Sequence, residues 1–88
     1  MRHRRKAAAL KYEKNFDAPV VTAAGAGFIA DKIIESANEA SVPVVYNKEL
    51  AELLLNVDIG EYIPPELYEA AAYIIAYVAD IDKLIDER

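Results

Sequence analysis

Two breaks in the first half of the chain restrict its fold more than any other feature. Residues 18–24, Ala-Pro-Val-Val-Thr-Ala-Ala, form a β-branched, apolar run that stops at Gly25-Ala26-Gly27. Residues 42–46, Val-Pro-Val-Val-Tyr, form a second run of the same kind. Such residues suit a pleated, half-buried surface, and a proline at a strand entrance removes no needed ladder donor. Between the breaks the pattern is helical. Ile29, Ile33, Ala37 and Ala40 share one face, and Asp31, Lys32, Glu35 and Glu39 mostly take the other. Ser41 closes this helix because Val42-Pro43 cannot continue it. Strand, helix and strand in this order predict a right-handed parallel crossover.

The flanking segments complete an α/β pattern. Residues 7–12, Ala-Ala-Ala-Leu-Lys-Tyr, are a short apolar run ending in a strand former, and residues 13–17 are polar and turn-like. Asn47 is placed to cap a helix over residues 48–57, with Leu50, Leu53 and Leu54 inward. Asp58-Ile59-Gly60 ends it. Pro64-Pro65 opens a last helix over residues 66–85, where Glu66 and Glu69 complement the positive end of the helix dipole. Its main apolar stripe is Leu67, Ala70 with Ala71, Ile74, Val78, Ile81 and Ile85. Tyr68, Ala72 and Ile75 form a neighbouring stripe, Tyr73 and Tyr77 lie on the polar side, and Ile34 stands among polar residues as an exposed apolar position. The expected fold is α/β: a small central sheet of about three strands surrounded by three helices, in the order β-β-α-β-α-α. Its expected core is Ile29, Ile33, Val44, Leu53, Leu54, Leu67, Ile74 and Val78.

Composition narrows the function. At 88 residues there is room for one modest core. With no cysteine there is no disulfide framework, and 55% hydrophobic residues argue against disorder. No apolar run approaches the ~20 residues that span a bilayer. Arg2, Arg4, Arg5 and Lys6 define a basic N-terminal arm over residues 1–6, ahead of a single domain over residues 7–88. From Asn15 onward, 14 acids face four cations, a net charge of −10. Such a body repels phosphates, so no nucleic-acid partner is expected.

A catalytic set is hard to assemble. The only histidine is His3, and Ser36 and Ser41 have no base near them in sequence. Glu35 and Glu39 are i,i+4 neighbours on a solvated helix face, where nothing raises a carboxylate toward acid–base work. Metal-ligand spacing is absent, and Asp80, Asp82, Asp86 and Glu87 read as a hydrated tail. The chain is expected to be no enzyme and to use no cofactor, metal or small-molecule substrate. Gly25-Ala26-Gly27-Phe28-Ile29-Ala30 does match the dinucleotide pattern G-x-G-x-x-G/A. The next run, however, ends in Tyr46-Asn47 without the acid that grips a ribose, and the remaining strands of a dinucleotide domain have no room. A tight strand-to-helix turn explains these glycines better. The helix-to-strand layout over residues 37–45 is also similar to ribosomal-protein-like RNA binders of an α/β sandwich type. A small α/β RNA-binding protein is therefore the alternative function, against which the acidic body argues.

A longer ordered set is more specific. It comprises Leu10-Lys11-Tyr12, Ala18-Pro19-Val20-Val21, the segment Gly25 to Ile33, Val42-Pro43-Val44, Leu50-Ala51, the segment Asp58 to Ala70, and Ala76-Tyr77-Val78. Their order and spacing closely resemble the cytoplasmic C-terminal domain of the flagellar export protein FlhB and its injectisome relatives, the YscU family. The resemblance covers residues 7–78. It implies a component of a type III export apparatus, in which this domain follows a membrane region and cleaves itself within an Asn-Pro-Thr-His loop. The cleaved form switches which substrates are exported. Here no membrane region is seen, and the tetrad would fall on Arg2-His3-Arg4-Arg5, so no autocleavage is expected.

The resemblance further implies a hydrophobic patch that contacts export substrates, at Ala18, Pro19, Ala72 and Ile75. It also implies pairing of the strand over residues 7–12 with a strand that precedes the cleavage site. The expected function is a non-enzymatic, FlhB-like export component. It would stand in for, or compete with, the post-cleavage fragment in substrate docking or specificity switching. Expected partners are export-gate proteins or a truncated full-length paralogue, together with export substrates or chaperones. The expected location is cytoplasmic, peripheral at the export apparatus on the inner membrane, with the membrane touched only indirectly.

Overall fold

The computed structural model describes residues 5–86, and side chains through residue 78. The elements run β1 (Lys6–Lys11), β2 (Val20–Ala26), α1 (Phe28–Glu39), α2 (Lys48–Leu54), a one-turn 3-10 helix (Pro65–Leu67) and α3 (Tyr68–Asp86). β1 begins at Lys6, so the last residue of the expected basic arm belongs to the sheet. Arg2, His3 and Arg4 of that arm lie outside the described residues.

β1 and β2 pair antiparallel, from Lys6 opposite Ala26 to Lys11 opposite Val20. Three consecutive alanines are poor strand formers on their own; the neighbouring strand, not propensity, makes β1 extended. The register breaks between Ala9 and Leu10, where Ala9 faces Ala23 and Leu10 faces Val21. Thr22 is the extra residue of this bulge, and its hydroxyl donates to the Ala9 carbonyl at 3.3 Å. The bulge resets the alternation of faces. Val21 and Ala24, three apart, therefore both reach the core, opposite Leu10 and Ala8.

The core is Ala18, Val21, Leu50, Leu54, Ile63, Leu67 and Ala71, with Ala8, Leu10, Ala24, Val57, Ala70 and Ile74 packed against it. Several expected core residues lie elsewhere. Ile29 is 52% exposed and Leu53 is 49% exposed. Ile33, Val44, Ile74 and Val78 are half-buried, and only Leu54 and Leu67 of the expected set are fully inside. On α1 the buried face centres on Ala30, with Ile33, Ile34 and Ala37 beside it, so Ile34 is not the exposed position expected for it. Close approach explains the shift. A Cβ at Gly25 would stand 2.7 Å from the Ile29 Cβ and overlap its Cγ2, so Ile29 occupies the space beside the glycine backbone. Gly25→Ala is expected to destabilise by about 1–3 kcal/mol through overpacking, as measured by urea unfolding. Adding Ile29→Ala should recover only part of the loss, because its Cβ stays in place.

On α2, the Asn47 side chain accepts from the Leu50 N–H at 3.0 Å, the cap the sequence suggests. The helix stops at Leu54, three residues short of the expected end, and continues as i→i+3 turns in which Asn56 and Val57 donate to the carbonyls of Leu53 and Leu54. The 3-10 turn and α3 together cover the expected last helix. The side chains of Ile81 and Ile85 lie outside the described residues.

The main correction concerns residues 42–46. They form no strand, and the described sheet has two strands rather than about three. The parallel crossover is accordingly not formed among the described residues. Val44 and Val45 are half-buried, as their side chains favour. Extended backbone becomes a strand only when a neighbour supplies hydrogen bonds, and no ladder joins this segment to β1 or β2. The outer edge of β2 is instead taken by residues 60–63. The Val21 N–H donates to the Glu61 carbonyl at 3.1 Å, Gly60 to Val21 at 2.7 Å, and Ile63 to Pro19 at 2.9 Å. Gly60 holds a φ of 93°, a backbone conformation that side-chain-bearing residues rarely adopt. β2 is thus flanked on both sides at its start, whereas among the described residues β1 is paired with a strand on one side only.

Candidate functional site: an apolar groove between the start of β2 and α3

The clamp by residues 60–63 fixes Ala18 and Pro19, both buried, at the entrance of β2. Proline suits this place because it has no N–H to leave unpaired, while its carbonyl serves Ile63. The same stretch leads through Pro64-Pro65 into α3, where the Leu67 N–H donates to the Pro64 carbonyl at 2.9 Å. Leu67 and Ala71 then anchor α3 in the core. Each helical residue turns about 100° from the last. Ala72 therefore flanks the buried stripe and is exposed beside fully buried Ala71.

A groove of about 290 Å³ results. Ala18 and Pro19 line one side, and Tyr12 and Asp17 come from the connection between β1 and β2. Tyr68, Ala72, Ile75 and Ala76 line the α3 side. The four residues that the resemblance singles out, Ala18, Pro19, Ala72 and Ile75, thus come together around one hollow. Small side chains at Ala18, Ala72 and Ala76 make the space, while Pro19 and Ile75 keep it apolar. Tyr68, Ala72 and Ala76 recur every four residues, so their stripe on one helix face was visible in the spacing. Tyr12 and Asp17 had no such signal; only the return of the chain from β1 to β2 brings them here.

The lining contains no nucleophile–base pair and no second carboxylate beside Asp17. The other sites weighed in the sequence are spoken for. At the Gly25-Ala26-Gly27 turn, the Gly27 N–H that a phosphate would need donates to the Arg5 carbonyl at 2.7 Å. Asp31, in the first turn of α1, lies 3.6 Å from the Arg5 guanidinium. Glu35 faces Lys32 at 3.9 Å on an exposed surface. Tyr73 and Tyr77 are exposed, as expected from the polar side of the last helix. No helix among the described residues is long and apolar enough to cross a membrane.

Comparison with known proteins gives the same direction. A model of the FlhB HrpN YscU SpaS family matches residues 4–78. The chain is similar to the uncharacterized protein YlqH of Bacillus subtilis (strain 168), 38% identical over 85 residues, covering 96% of this chain and 91% of that protein. It is also similar to the flagellar biosynthetic protein FlhB of Aquifex aeolicus (strain VF5), 53% identical over 74 residues, which covers 82% of this chain and 21% of that protein. The chain therefore spans about a fifth of the length of FlhB. Among solved structures, the cytoplasmic domain of FlhB from Shewanella putrefaciens superposes with a TM-score of 0.86 at 32% identity, covering 94% of this chain and 69% of that one. The PscU C-terminal domain superposes with a TM-score of 0.80 at 26% identity, covering 84% and 96%. The RNA-binding alternative draws no support from these matches. With the family model spanning most of its residues and its fold shared with FlhB and PscU domains, the chain belongs to the FlhB HrpN YscU SpaS family.

Proposed function

We propose that this chain is a docking module of a type III protein export apparatus, and that its groove receives short apolar segments of export substrates or their chaperones. The observation that supports this reading most is the groove itself. Five residues from two stretches far apart in sequence, Ala18 and Pro19 on one side and Tyr68, Ala72 and Ile75 on the other, shape an open apolar hollow on a family member's surface. At about 290 Å³ it sits at the bottom of the ~300–1,000 Å³ range of small-molecule sites, a size suited to one or two inserted side chains. In this role the chain stands in for, or competes with, the corresponding domain of a full-length paralogue at the export gate. Capture of early and late export substrates by the immobilised chain tests the reading. Capture that is lost in Ala72→Asp, with the fold intact, is expected; a well-folded chain that retains neither class of substrate overturns it.

A second mode of attachment has its own support. Among the described residues β1 pairs with no strand but β2, and an open strand edge is a template for an added strand. Strand addition here would tether the chain to a truncated membrane partner while the groove handles substrates.

A further inference from the structure

The groove carries one charged side chain, on its rim. Asp17 is exposed, lines the hollow, and directly precedes the buried Ala18-Pro19 wall. It makes no ion pair among the described residues. Lys11, six residues before it in the sequence, is engaged with Glu13 at 3.5 Å. The other polar side chains of the lining are the phenols of Tyr12 and Tyr68, which carry no compensating positive charge. An incoming segment thus meets a hydrophobic floor with a single unneutralised carboxylate at its edge.

We propose that Asp17 makes the groove selective for an apolar segment carrying a lysine or arginine beside its anchoring side chain. This inference rests on the groove being the docking site. Chemistry favours such an occupant over a purely apolar or acidic one. Long cationic side chains lay their methylene stems on apolar surface and hold the charged head in water. The stem would lie along Pro19 and Ala72 while the head meets Asp17. Aromatic rings are also the neutral neighbours a cation prefers, and Tyr12 and Tyr68 supply two of them. An acidic residue at the same position would face Asp17 within a chain whose formal charge is already −5.

The test uses the full chain and three labelled peptides that share one phenylalanine anchor and differ only in its neighbour: lysine, glutamine or glutamate. Fluorescence anisotropy at low salt is expected to rank them in that order. The lysine peptide should bind about two- to fivefold tighter than the glutamine peptide, the range of an exposed ion pair, with the gap closing as salt is raised. Asp17→Asn should erase the gap, and Asp17→Lys should transfer the preference to the glutamate peptide. Glu35→Gln, which removes an acid on the exposed face of α1, should leave the ranking intact. Equal binding of the three peptides overturns the inference and leaves the groove reading standing. So does a preference that survives Asp17→Asn, or one that Glu35→Gln reduces as much, which would assign it to overall charge. If none of the peptides binds, the groove reading falls and takes this inference with it.

Discussion

Replacing Ile63 by alanine is expected to cost about 2–5 kcal/mol, the range for deleting a buried aliphatic side chain without collapse of the cavity. Ile63 is 1% exposed and, with Val21, is one of the two largest side chains fully enclosed. Its backbone also holds the Pro19 carbonyl, so the wall around it cannot easily close over a void. A small domain has roughly 5–15 kcal/mol of stability to lose. The change should be read as a fall in the urea midpoint at constant slope. Ile74→Ala, at a half-buried position on the margin of the same core, should cost clearly less. Equal losses from the two, or a loss below about 1 kcal/mol at Ile63, would refute the described core.

The second large effect separates binding from folding at two adjacent residues. Ala71 is fully buried against the core, and Ala72 faces the groove. A carboxylate at residue 71 has no water and no counterion, so Ala71→Asp is expected to unfold the chain or lower its Tm severely. In Ala72→Asp the new carboxylate reaches solvent in the free chain and should shift Tm by little. In an occupied groove it would be desolvated without a cation from this chain, since no lysine or arginine lines the hollow. Capture of export substrates should therefore drop at least tenfold, about 1.4 kcal/mol, while the melt stays near that of the native chain. Unfolding in both variants would place Ala72 in the core. A normal melt with undiminished capture would remove the groove from the mechanism and leave the open edge of β1.

Much of this architecture is legible before any coordinates. The cap at Asn47, the stop at Val42-Pro43, the proline entry to the last helix and the stripe Leu67, Ala71, Ile74 all depend on neighbours three or four residues away. Their physics is local, so spacing alone locates them. The glycine turn was also visible, but its cause was not. Gly25 is needed for the approach of Ile29, and Gly27 for a backbone turn with φ of 62°. The face of α1 that turns inward depends on that approach, which is why Ile29 and Ile34 exchange the roles their spacing suggests.

Pairing and enclosure belong to the tertiary structure. Residues 42–46 carry every local mark of a strand and join no sheet, while the alanines of β1 carry few and pair with β2. A strand is completed by hydrogen bonds to another segment, which no single stretch of sequence contains. The bulge at Thr22 then decides that Val21 and Ala24 share a face, against simple alternation. The groove follows the same division. The stripe Tyr68, Ala72, Ile75 could be read from helical periodicity. The opposite wall, and the carboxylate of Asp17 on its rim, arrive only because residues 60–63 clamp the start of β2 against the foot of α3. Local spacing thus determined the helices and their faces, whereas long-range backbone pairing decided the sheet, the enclosed core around Ile63, and the shape and charge of the site.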